Sequence, residues 1–169
     1  DEHLAVLFGE GHTLTNLKEL SQPGQLATEE RLTIKGPKGE MQRVIVLGPT
    51  RPETQVELSA TDARSLGVVA PVRMSGDIKE SGTITLIGPE GEVELSEGVI
   101  VAKRHIHLSD EEARDFDLED NEVVSVEINT DGRSLVFNDV VVRVNPNFRA
   151  AMHIDTDEGN AAGIAGSTM

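Results

Sequence analysis

A gapless internal correspondence constrains this chain more than any other feature. Gln55-Val56-Glu57-Leu58-Ser59-Ala60-Thr61-Asp62-Ala63-Arg64-Ser65-Leu66-Gly67 aligns with Ala151-Met152-His153-Ile154-Asp155-Thr156-Asp157-Glu158-Gly159-Asn160-Ala161-Ala162-Gly163 at a constant offset of 96 residues. Each copy reads as a strand feeding a short helix. Ser59 with Asp62, and Asp155 with Glu158, stand at N-cap and N3 spacing, where the cap oxygen accepts from the N3 amide. A chain of 169 residues that repeats itself in this way is expected to fold as two related halves. Under the offset, Glu57 and His153 occupy one structural position. One half offers a carboxylate there and the other an imidazole, and both are metal-ligand types.

The halves read as β-rich. Arg31-Leu32-Thr33-Ile34-Lys35 alternates, turns at Gly36-Pro37-Lys38-Gly39 and returns through Arg43-Val44-Ile45-Val46-Leu47, a hairpin pattern. It recurs 52 residues on as Ile84 to Ile87, Gly88-Pro89-Glu90-Gly91 and Glu92 to Leu95. A third version runs from Val123 to Ile128, through Asn129-Thr130-Asp131-Gly132, and back along Ser134 to Val144. With no Trp, no Tyr and four Phe, the core must be Val, Ile and Leu, which favours strands. Asp1 to Phe8 predicts a short helix ending at Gly9, with His3 on its solvent face. Gly11 to Glu30 reads as polar loop with a turn at Gln22-Pro23-Gly24-Gln25.

The chemistry concentrates at Lys103-Arg104-His105-Ile106-His107-Leu108-Ser109, after the apolar run Val99-Ile100-Val101-Ala102. In a strand, side chains two apart share a face, so His105 and His107 present their imidazoles side by side. That suits two nitrogen ligands on one ion; two surface histidines on a strand are the alternative. His153 has a similar setting near the C-terminus. His12, in a polar loop, is expected not to be a ligand. Ser109 and Glu112 carry a capping-box pattern opening the helix Asp110 to Phe116. Asp1-Glu2-His3-Leu4-Ala5-Val6-Leu7-Phe8 is a close cousin of that helix, so the repeat predicts a first His-x-His ahead of Asp1.

Net charge excludes whole classes of partner. At −15, with 30 acidic against 15 basic residues, nothing draws the surface to a nucleic-acid backbone or an anionic membrane. No apolar run approaches the roughly 18 residues of a membrane span, and no signal peptide is visible. The chain has no Cys, so disulfides, thiolate nucleophiles and Cys-based zinc sites are excluded, and a metal must use His, carboxylate or water. In so acidic a chain an anionic substrate needs a local basic group. Arg51, stiffened between Pro49 and Pro52, is the candidate, since a guanidinium binds phosphate with two parallel donors. A loop arginine paired with Glu53 is the alternative. Lys103 and Arg104 can meet coenzyme phosphates or be ordinary surface charges.

The strings Val99 to Ser109, Met152 to Glu158, Leu20-Ser21-Gln22-Pro23-Gly24-Gln25 and Gly48-Pro49-Thr50-Arg51-Pro52-Glu53-Thr54-Gln55-Val56-Glu57-Leu58-Ser59 together resemble the PduL-type phosphate propanoyltransferases over nearly the whole chain. The resemblance implies a mainly β fold: two small β-barrel domains, residues 1–102 and 103–169, capped by short helices. The N-terminal strand that completes the second barrel is expected ahead of Asp1. The implied activity interconverts acyl-CoA (propanoyl-CoA or acetyl-CoA) plus phosphate with acyl phosphate plus coenzyme A, at a two-zinc site. One zinc would be held by His105, His107 and His153; the other by Glu57 and the first His-x-His. Arg51 matches the phosphate-contacting arginine, with Lys103 and Arg104 toward coenzyme A. Implied partners are coenzyme A and acyl-CoA, phosphate and acyl phosphate, with no nucleic acid and no membrane. A homo-oligomer and microcompartment shell or cargo proteins stay open, as does a microcompartment interior within an otherwise cytoplasmic location. A metal-dependent hydrolase on the same ligands and a non-catalytic β-barrel module are the rival readings.

Overall fold

The computed structural model describes residues 2–164 and divides into two compact units. One comprises the chain up to Leu20 together with Gly24–Val101; the other comprises Ser21–Pro23 and the chain from Ala102 onward. Asp1, where the expected first helix begins, lies outside the described residues.

The first unit is a seven-stranded sheet. Its strands are β1 (Asn16–Glu19), β2 (Leu26–Gly36), β3 (Gly39–Gly48), β4 (Val56–Glu57), β5 (Val72–Arg73), β6 (Gly82–Ile87) and β7 (Glu92–Ala102). They run in the order β1-β2-β6-β7-β4, with β3 also on β2 and β5 also on β7. Both hairpins expected in this unit form, closing at Gly36 opposite Gly39 and at Ile87 opposite Glu92. Helices α1 (Glu2–Phe8) and α2 (Ala60–Leu66) complete the unit. Leu7, Ile34, Leu66, Ile84, Leu86 and Val99 lie in its core. The end of α1 packs so closely on the β6–β7 turn that a side chain at Gly88 would run into the Leu7 carbonyl.

The structure departs from expectation at two places in this unit. The stretch expected to be loop contains β1 and the start of β2. All four residues of β1 are exposed, and a strand wet on both faces has no alternation to read. His3 is half-buried, not solvent-facing, because its ring bonds the Thr54 hydroxyl at 2.7 Å.

The second unit is a four-stranded sheet of order β11-β8-β10-β9, from β8 (His105–Leu108), β9 (Val123–Ile128), β10 (Leu135–Val144) and β11 (Ala151–His153). Strand β8 runs parallel to β10 and antiparallel to β11. Helices α3 (Asp110–Asp115) and α4 (Thr156–Ala162) follow β8 and β11. Full capping boxes form at Ser109/Glu112 and Asp155/Glu158, where N3 is glutamate. At Ser59 the forward bond to the Asp62 amide forms, but Asp62 is one methylene shorter than glutamate for the return.

The repeat extends beyond the stretch that announced it. The 96-residue offset carries β3 at 39–48 onto β10 at 135–144, and α2 at 60–66 onto α4 at 156–162. Left-handed glycines end both helices, Gly67 at φ 74° and Gly163 at φ 67°, a conformation only glycine adopts without strain. The fold is mainly β, as expected. Each strand order nevertheless has free ends among the described residues, so the strands form sheets and no ring of pairings closes a barrel. No described helix is long and apolar enough to cross a membrane.

Candidate metal centre

Strand β8 interrupts what reads in sequence as one long extended segment. Strand β7 ends at Ala102, Lys103 and Arg104 make the break, and β8 begins at His105. Inside the second sheet β8 is an inner strand, so one of its faces must be apolar. Ile106 supplies that face, packing against both buried clusters of the unit. His105 and His107 occupy the opposite face, and both are buried. Strand β11 lies alongside with His153 directly opposite His105. The strand pairing therefore carries residue 153 to the 105/107 pair.

The three rings form a tight triangle. Centroids lie 4.7 Å apart for His105–His107, 4.9 Å for His105–His153 and 4.6 Å for His107–His153. One ligand atom from each can be chosen so that all three lie within 4.8 Å of one another. Nitrogens on a tetrahedral zinc stand about 3.4 Å apart, so modest ring rotations bring the set onto one ion.

Hydrogen bonding and protonation agree with a ligand role. His105 Nδ1 bonds the Lys103 carbonyl at 2.8 Å. A carbonyl only accepts, so that nitrogen carries the proton and Nε2 keeps its lone pair, the usual support of a metal-bound imidazole. Both ring nitrogens of His107 are buried with no hydrogen-bond partner. Buried polar atoms are nearly always satisfied; a ring left this way fits a bond to something other than protein. Burial, followed by the neighbouring His153, His105 and Arg143, pushes His107 down from 6.5 to about 3. Burial and then His105 push His153 down to about 4. Both rings are therefore neutral at neutral pH with lone pairs available. The residues fit a zinc ion.

Sequence reasoning missed two neighbours of the cluster. Gln22 is fully buried, donates through Nε2 to the Arg149 carbonyl at 2.9 Å and lies 3.5 Å from His153 Nε2. Phe148 packs on the His107 ring, centroids 4.1 Å apart. Gln22 is 131 residues from His153, and no periodicity signals a contact so distant.

Arg51 and Glu57 belong to the first unit. Arg51 is exposed on the β3–β4 loop, its Nη1 3.5 Å from the Ser75 hydroxyl. Gln55 organises the surroundings, donating to Ser75 Oγ at 2.9 Å and to Glu57 Oε1 at 2.7 Å, and accepting from the Gly76 amide at 2.7 Å. Arg51, Gln55, Glu57 and Ser75 thus form one polar network. Gln55 and Ser75 carried no sequence signal of their own. Of the two basic residues before His105, Lys103 contributes its carbonyl to that ring. Arg104 is engaged with Glu158, the Asn138 carbonyl and the face of Phe137. His12 bonds the buried Glu30 carboxylate at 2.9 Å and stacks on Phe8.

Comparison with known proteins yields one family. The phosphate propanoyltransferase family model matches residues 1–165. A phosphate propanoyltransferase of Clostridioides difficile is 51% identical over 168 residues, covering 99% of this chain and 80% of the relative. One from Thermotoga maritima is 51% identical over 161 residues, covering 95% and 77%. One from Salmonella typhimurium is 52% identical over 153 residues, covering 90% and 73%.

Proposed function

The chain belongs to the phosphate propanoyltransferase family and is an acyltransferase, and from that premise we propose that it moves an acyl group between coenzyme A and inorganic phosphate at a zinc centre held by His105, His107 and His153. The observation that carries the metal reading is the converging imidazole triangle, with both nitrogens of His107 buried and unpartnered. Glu57 stands where His153 stands in the other half of the repeat, which supports a role as ligand of a second zinc. Bound zinc supplies charge that polarises a carbonyl and stabilises an anionic oxygen or thiolate.

The chain's own residues do the rest. Arg51 receives the phosphate, pairing its guanidinium with two phosphate oxygens. Gln55 holds Ser75 and Glu57 in place beside it. In the forward direction a phosphate oxygen attacks the thioester carbon. The C–O bond forms, the C–S bond breaks, and the electron pair leaves with the coenzyme thiolate. The chain has no Cys to carry an acyl group and no serine beside an obvious base in the sequence, which favours direct transfer within a ternary complex, and Lys103 is positioned in sequence to meet a coenzyme phosphate.

The test is thioester loss measured with and without phosphate. Phosphate-dependent loss that yields acyl phosphate stoichiometrically, with intersecting initial-rate lines, is the expected result. Thioester loss indifferent to phosphate identifies water as the acceptor and rejects the transferase reading; parallel lines reject direct transfer.

A further inference from the structure

Strand β11 holds its histidine by a short ladder. Only Ala151, Met152 and His153 pair with β8, and so few residues fix the separation of two strands weakly. Yet His105 and His153 must stay opposed for one ion to reach both. A second tie joins the residue just before β8 to the helix just after β11.

Arg104 immediately precedes His105, and its carbonyl accepts from the Val141 amide, pinning it to β10. Its Nε meets Glu158 Oε1 at 2.6 Å, its Nη1 donates to the Asn138 carbonyl at 3.1 Å, and its guanidinium lies 4.9 Å from the centroid of the Phe137 ring. Contact over the ring plus a fork of donors restricts the orientation of the guanidinium. Glu158 is equally constrained. Its other oxygen accepts from the Asp155 amide at 2.9 Å, while Asp155 accepts from the Glu158 amide at 2.8 Å. Asp155 is two residues beyond His153. The chain of contacts therefore runs from the residue before His105 to the residue two after His153, on fixed groups throughout.

We propose that Arg104 and Glu158 form a positioning clamp that sets the spacing of His105 and His153 and thereby tunes the metal affinity of the site. The proposal rests on the three histidines being the metal ligands. Neither clamp residue belongs to the three-histidine group. The pair is partly exposed, at 31% and 16% for the two side chains, so it contributes little to global stability. Its effect falls on geometry.

The substitutions separate the clamp from the helix cap. Glu158→Gln keeps the capping box, which accepts glutamine at N3, and removes the charge that holds Arg104. Arg104→Met removes the other end and keeps the apolar stem. Zinc affinity is read by competition with a chromophoric chelator, and ligand geometry by the visible bands of the cobalt-substituted protein. Each single variant should bind zinc about tenfold more weakly, within the range for residues that orient ligands, with altered cobalt bands. The double variant should be no worse than the weaker single one. Arg104→Lys should recover part of the loss, and metal-free melting temperatures should stay within about 4 °C of the parent. Wild-type affinity and cobalt bands in both single variants overturn the clamp, as do losses that add in the double variant or that follow the melting temperature. Zinc binding by the parent chain with unaffected variants leaves the three-histidine site standing and removes the clamp alone; a parent chain that takes up no zinc removes both.

Discussion

Strands β3 and β10 hold the same place in the 96-residue repeat but have different surroundings. On β10, Val140 and Val142 are fully buried and Val141 nearly so. On β3 the equivalent Val44 and Val46 are only half-buried, and Ile45, in the place of Val141, is 36% exposed. The difference is a neighbour: β8 lies along β10, whereas β3 pairs with β2 alone among the described strands. Strand β8 brings His105 and His107 on one face and Ile106 on the other. In the second unit, the segment that carries the candidate ligands is therefore also what closes the core. In the first unit, Arg51 lies on an exposed loop and Glu57 turns an exposed side chain out from between the buried Val56 and Leu58. Ligand chemistry and stability are coupled in one region and separable in the other.

The largest effect that tests this contrast is on His107. His107→Ala should remove zinc from the three-histidine site and lower acyl phosphate formation by about 10²-fold or more, read by metal analysis beside the coupled assay. Glu57→Ala should leave that ion in place. Full activity without metal in His107→Ala would reject the assignment. Next in size is a matched pair of valines. Val142→Ala loses buried methyl groups and should destabilise by about 2 kcal/mol. Val46→Ala, the same change at the equivalent half-buried position, should lose less than about 1 kcal/mol; equal losses in denaturant titrations would break the comparison. Arg51→Lys exchanges a planar fork for a point charge, and KM for phosphate should rise about tenfold with zinc content unchanged.

A smaller contrast lies in pH. In the metal-free protein His107 and His153 stay neutral down to about pH 3 and 4, while an unfolded histidine takes a proton near 6.5. The unfolded chain then binds more protons, so the second unit should lose stability as pH falls from about 6.5 toward 4. In the first unit, burial raises Glu30, but the His12 ring and the Thr15 amide outweigh it and lower the carboxyl from 4.5 to about 2. Its contribution is present above 4.5 and is lost only as pH falls from there toward 2. Hydrogen exchange at pH 5 should find β8 and β11 opening before β2; simultaneous opening would erase the distinction.

What could be read from the chain followed local chemistry. The hairpins at Gly36 and Gly88, the caps at Ser59, Ser109 and Asp155, and the shared face of His105 and His107 all depend on residues within a few positions of each other, where periodicity and capping speak directly. The repeat added long-range information, giving Glu57 and His153 the same place. Strand β1 was not legible, because Asn16 to Glu19 bury nothing and leave no pattern. Gln22, Phe148 and Ser75 were missed because each gains its meaning from the residue it meets in space. The partners of Arg104 were hidden for the same reason: Glu158 is legible as a cap, but its second oxygen is not.

The bond from His105 Nδ1 to the Lys103 carbonyl has a consequence for how the site fills. That ring has its tautomer chosen in advance, and its two neighbours hold no proton to give up near neutrality. At those two rings an arriving cation would displace no hydrogen ions. Zinc affinity should fall less steeply as pH drops from about 6.5 to about 5 than it would for three ordinary imidazoles.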